Sequence, residues 1–153
     1  MPIEHGTRAA IAASLAREHL LRTGTLRIRV TGASMLPALR PGDELEFQAC
    51  AASEVPSGAV ALYRRGERLV VHRVVNREGE SLVTRGDALA QPDPPVAADE
   101  VMGQLVVVKR YGRQRHILPP ANQRVASWLL RRSDLLTRAF LRWHRLACAR
   151  ATA

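Results

Sequence analysis

The chain has 153 residues, the length of one ordinary domain with short appendages. Its hydrophobic fraction of 46% excludes a disordered chain, and its aromatic fraction of 4% requires a core of Val, Leu, Ile and Ala. A net charge of +9, nearly all of it arginine, points to an acidic partner: nucleic acid, an anionic membrane surface or an acidic protein.

Thr7 reads as the N-cap of a helix over residues 8–22. Ile11, Ala12, Leu15, Ala16 and Leu20 form its apolar stripe, and Gly24 stops it. Leu26, Ile28 and Val30 then alternate with Arg27 and Arg29, the pattern of a half-buried strand. Pro41-Gly42-Asp43 makes a turn, after which Leu45 and Phe47 alternate. Residues 60–63, the turn Arg65-Gly66-Glu67 and residues 69–75 read as strand, turn and strand. Residues 76–80 turn the chain again, and residues 81–85 form a short strand. Pro92, Pro94 and Pro95 stiffen a loop over residues 86–99, and residues 101–110 read as the last strand. Pro119-Pro120 breaks the pattern before a long helix over residues 122–150. The expected fold class is mostly β (α+β). It divides into an N-terminal helix (1–24), a β domain (25–118) and a basic amphipathic C-terminal helix (119–153).

Cys50 and Cys148 share no CxxC or Cys/His spacing, so no metal site is expected. No stretch reads as a signal peptide, and arginine interrupts every apolar run before the roughly 20 residues that span a bilayer. The expected location is cytoplasmic or membrane-peripheral. The peripheral reading comes from the C-terminal helix. Trp128, Leu129, Leu135, Leu136, Phe140 and Trp143 keep helical spacing, opposite Arg131, Arg138, Arg142 and Arg145. Such a helix lies on an anionic membrane or packs its stripe on the β domain or a partner. Nucleic-acid binding ranks third, since no recognised reading module accompanies the charge.

The residues that carry chemistry sit in the β domain. The first strand runs into Thr31-Gly32-Ala33-Ser34-Met35-Leu36-Pro37. A serine nucleophile needs an exposed hydroxyl at a sharp bend with backbone N–H groups nearby, and small residues before it admit a substrate backbone. His72 stands in Leu-Val-Val-His-Arg-Val-Val, where alternation puts Val70, His72 and Val74 on one face and Arg73 on the other. Histidine as a residue type titrates near neutral pH, which suits it to taking a serine proton. Asp87 and Asp93 are both available to orient it.

These pieces together resemble the signal peptidase I family, in its archaeal and endoplasmic-reticulum branch. The resemblance runs from about Ile28 to Val108. It rests on Gly32-Ala33-Ser34-Met35-Leu36-Pro37-Ala38-Leu39 with Pro41-Gly42-Asp43, then Val71-His72-Arg73-Val74-Val75, then Gly86-Asp87 with Asp93, then Val101-Met102-Gly103. It implies Ser34 as nucleophile, His72 as base, Asp93 as the triad acid and Asp87 as a supporting residue. Gly32, Met35 and Pro37 would then contact substrate. The implied fold is a mostly β, coiled sheet with a shallow substrate groove. The implied reaction is cleavage of a precursor peptide or protein after small residues, with no cofactor. The related bacterial branch and the self-cleaving repressors use a lysine base. The single lysine here, Lys109, follows the last motif, and His72 holds the base position. Gly32 replaces a serine found in many members, and the membrane anchor usual in the family is not seen. The alternatives are a catalytically weak peptide-binding module of the same fold, or a basic nucleic-acid-binding protein.

Overall fold

The structure, a computed structural model, describes residues 3–115. The expected helix over residues 122–150, with its basic face and Cys148, lies outside them. The chain runs α1 (Ile3–Thr23), β1 (Thr25–Arg29), β2 (Glu44–Ala49), β3 (Val60–Arg65), β4 (Arg68–Glu78), β5 (Ser81–Arg85), β6 (Val101–Arg110) and β7 (Arg113–Arg115). Short 3-10 turns follow β2 and precede β6. The protein is thus mostly β with one N-terminal helix. The seven strands among the described residues join one antiparallel sheet in the order β1-β2-β6-β3-β4-β5, with β7 against the end of β6. No helix among the described residues is long and apolar enough to cross a membrane.

The helix begins four residues before Thr7, which therefore lies inside it and not at its start. A threonine inside a helix costs at most about 0.7 kcal/mol, too little to start it later. Gly24 ends it as expected, at φ 74° with its N–H on the Leu20 carbonyl at 2.8 Å. The buried stripe differs from the expected one. Ala13 and Leu20 are buried and Ala16 packs behind them, while Ile11 and Leu15 remain 55% and 60% exposed. Small alanines at helical spacing let α1 sit close against β1, β2 and β4.

β4 runs on to Glu78 instead of turning at Asn76, because a bulge between Val74 and Asn76 preserves its pairing with β5. β7 carried no alternation to announce it. Tyr111 and Gly112, at φ 52° and 72°, make the two-residue turn that folds it back on β6.

The core has two parts. Leu20, Leu26, Leu45, Phe47, Leu62 and Val108 belong to the larger. Val55, Ala61, Tyr63, Val74, Leu82 and Val96 belong to the smaller. Alternation assigns each strand's residues: Leu62 and Val71 face the first cluster, while Ala61, Tyr63, Val70 and Val74 face the second. Gly103 of β6 lies between β2 and β3, where any side chain would collide with the Gln48 carbonyl.

Candidate active site

Ser34 sits in the loop between β1 and β2, and that loop has a closed stem. Val30 N–H donates to the Asp43 carbonyl at 2.9 Å, and Gly42 N–H donates to the Val30 carbonyl at 2.8 Å. The Asp43 carboxylate, 2% exposed as a residue, accepts from the Arg40 N–H at 2.8 Å and from Arg110 twice at 2.7 Å. Through Arg110 the loop is tied to the end of β6. The Asp43 carboxylate raises the guanidinium's pKa further, chiefly through those hydrogen bonds. Met35, Leu36 and Leu39 turn inward and are buried, which leaves Ser34 at the bend and half-exposed.

His72 comes from β4, paired directly across from Ala61 of β3. Its Nδ1 is 2.6 Å from Asp93 Oδ2 and its Nε2 is 2.9 Å from Ser34 Oγ. A carboxylate oxygen only accepts, so the proton rests on Nδ1, and Nε2 is left to accept from the serine hydroxyl. Asp93 hangs from the proline-rich loop after β5. Its backbone N–H donates to the Thr84 carbonyl at 2.7 Å, which sets the loop against β5.

The second aspartate does different work. Asp87 is buried and accepts from Arg73 Nε at 2.8 Å and from its Nη2 at 2.7 Å. Arg73 Nη1 donates to the Gly58 carbonyl at 2.7 Å. Arg73 therefore turns away from the His72 face, as alternation requires, into a bidentate ion pair. The turn bearing Asp87 also touches the nucleophile loop, since Ala88 N–H donates to the Ser34 carbonyl at 2.9 Å. Asp87 holds the turn that carries this contact, while Asp93 alone of the two meets the imidazole.

A groove of about 510 Å³ opens beside Ser34 and His72. Ile28, Val30, Leu39, Leu45, Leu69 and Val71 give it an aliphatic wall. β1 and β4 lie four places apart in the strand order, so one groove lined by both requires the sheet to curl. Each strand presents an open edge along it. Among the described residues β1 pairs only with β2, and residues 69–72 of β4 pair only with β3. Two such edges can hydrogen-bond an extended peptide backbone. Of the residues expected at substrate, Gly32 and Met35 line the groove and Pro37 does not. Lys109 sits on β6 opposite Glu44 and Gln114 and takes no part in the hydrogen-bonded chain.

Two buried residues outside the sequence motifs also reach Asp93. The Tyr63 hydroxyl donates to Asp93 Oδ2 at 3.1 Å, and Thr84 Oγ1 reaches the same oxygen at 2.8 Å. The available signal was parity: Tyr63, His72 and Thr84 occupy same-face positions on three adjacent strands. Burial first, and then the charge of Asp93, push the Tyr63 phenol up to about 12. Burial and then Glu54 also raise the Cys50 thiol, which makes it a poor nucleophile at neutral pH. Among the described residues no cluster of His, Cys, Asp and Glu could hold a metal ion.

No protein-family model matches the chain, and no curated protein matches it.

Proposed function

We propose that this protein is a serine endopeptidase of the signal-peptidase type, acting on an extended segment of a precursor peptide or protein. The observation that carries the reading is the unbroken chain Ser34 Oγ, His72, Asp93, at 2.9 and 2.6 Å, with Ser34 and His72 lining an open aliphatic groove. The three groups come from a loop, a strand and a second loop, 38 and 21 positions apart. Their order and the motifs around them resemble those of the Ser-His branch of the family. The curled antiparallel sheet also agrees with the fold that the resemblance implies.

In this mechanism His72 Nε2 takes the Ser34 proton as the oxygen attacks the scissile carbonyl. The Asp93 carboxylate stabilises the imidazolium that forms. Ser34 N–H has no acceptor among the described residues, so it is available to the tetrahedral oxyanion. His72 then gives its proton to the leaving amine, and a water deprotonated by the same nitrogen releases the acyl group. The aliphatic wall and the open strand edges favour an uncharged, extended chain with small or aliphatic side chains next to the cut.

The test is digestion of extended Ala-x-Ala peptides by the purified chain and by Ser34→Ala, with mass spectrometry of the products and of the protein. Cleavage with a transient acyl adduct on Ser34, absent in the variant, is the expected result. Equal cleavage by both proteins would overturn the assignment.

A further inference from the structure

The Asp93 carboxylate is held by more than the imidazole. Its Oδ2 receives Nδ1–H of His72 at 2.6 Å, the Thr84 hydroxyl at 2.8 Å and the Tyr63 hydroxyl at 3.1 Å. Thr84 Oγ1 stands 3.0 Å from the Tyr63 oxygen, and that oxygen stands 3.5 Å from His72 Nδ1. The four groups thus close on one another around a single carboxylate oxygen.

Both hydroxyls are fully buried, at 0% exposure. Phe at 63 and Val at 84 would fill the same space without desolvating a hydroxyl. Their backbone positions are firm, since each lies on a strand: Tyr63 on β3 and Thr84 on β5, flanking His72 on β4. Asp93, by contrast, comes from a loop. That loop is fastened to the same two strands, by Asp93 N–H on the Thr84 carbonyl of β5 and by Arg65 of β3, which donates to the Pro94 carbonyl at 2.7 Å. The Arg65 guanidinium also lies 5.4 Å from the centre of the Tyr63 ring. A loop carboxylate with one partner can swing between rotamers and present either oxygen. Two strand-borne donors remove that freedom.

We propose that Tyr63 and Thr84 are positioning residues that pin Asp93 Oδ2 against His72 Nδ1 and so hold Nε2 aimed at Ser34. The kinetic consequence rests on the peptidase reading; the pinned hydrogen bond does not. The experiment therefore has two arms on the intact chain. Proton NMR follows the downfield Nδ1–H resonance of His72, assigned by its loss in Asp93→Asn. Steady-state kinetics follow peptide cleavage. Tyr63→Phe and Thr84→Val are expected to broaden or shift the resonance, and to lower kcat at least tenfold with KM within twofold. Thr84→Ser, which keeps the hydroxyl, is expected to restore both. A resonance unmoved in Tyr63→Phe and Thr84→Val overturns the positioning role, whatever happens to turnover. Wild-type protein that cleaves nothing, with the resonance responding as described, would defeat the peptidase reading and leave the positioning intact. Should one variant fail to fold, the other decides, because they act on the same oxygen from different strands.

Discussion

A Cβ on Gly86 would stand 2.7 Å from the backbone carbonyl oxygen of Ser34. The turn after β5 therefore packs directly against the nucleophile loop, and Ala88 N–H bonds the same oxygen from two residues further on. Gly86→Ala must push the loop or the turn away, because the obstacle is backbone and not a flexible side chain. Displacing a reacting atom by about 1 Å can cost a hundredfold in rate. Overpacking of this kind costs about 1–3 kcal/mol of stability. Gly86→Ala is expected to lose about a hundredfold in kcat and to melt lower, as read by peptide cleavage and by thermal unfolding. Full turnover in that variant would mean that the loop slides without disturbing the Ser34–His72 contact.

The two aspartates should separate in their effects. Asp93→Asn removes the charge that meets the imidazolium and is expected to lower kcat by about 10²–10⁴ with an unfolding midpoint close to that of the parent. Asp87→Asn instead leaves the buried Arg73 guanidinium beside a neutral group. Breaking a buried pair costs about 3–5 kcal/mol, so this variant is expected to lose stability first and activity only as a consequence. Urea unfolding and kinetics on the same preparations distinguish them. If Asp87→Asn stays fully stable and loses turnover, Asp87 takes a direct part in the chemistry.

The Asp43–Arg110 pair closes the stem of the nucleophile loop and is similarly buried at its acidic end. Asp43→Ala is expected to cost about 3 kcal/mol or more, since Arg110 loses its carboxylate partner and the Arg40 N–H its acceptor. Asp43→Leu combined with Arg110→Met should recover much of that loss, because no charge is then left unpaired. A double-mutant cycle by urea unfolding measures the coupling. Independent, additive effects would show that the pair contributes little to the stem.

Tyr63 makes stability fall at high pH. Its hydroxyl ordinarily ionises at 10.0, and in the fold it is pushed up to about 12. Between these values the unfolded chain releases a proton that the native protein keeps, so unfolding gains ground as the pH rises. Below pH 10 both states hold the proton and Tyr63 adds no slope. The expected result is a decline in the urea midpoint from pH 10 to 12 that is shallower in Tyr63→Phe. In a Tyr111→Phe background, tyrosinate absorbance should appear only towards pH 12. An equally steep decline in Tyr63→Phe would assign it to other groups.

Most of the sheet was legible because strand formation leaves a local record. Ser81–Arg85 and Val101–Arg110 have the bounds that alternation and flanking turns indicate. The parity that puts Val70, His72 and Val74 on one face holds in the structure. Where the record was indirect, the elements differed. The bulge in β4 is a compromise with β5 that no window of β4 contains. The inward face of α1 was decided by what it packs on, which is why Ala13 is buried and Leu15 is not. Tyr63 and Thr84 share the parity of His72, but a tyrosine and a threonine in strands ordinarily report β-propensity alone, so parity did not mark them as site residues.

The residue types at 34, 72 and 93, the mostly β pattern and the faces of the strands were determined by the sequence alone, since each depends on neighbours within a few positions. Only the tertiary structure decided which aspartate meets the imidazole, that Arg73 claims the other, and that β1 and β4 line one groove. Those outcomes depend on register, sheet curl and loop closure, which bring together groups dozens of residues apart and leave no periodic trace along the chain.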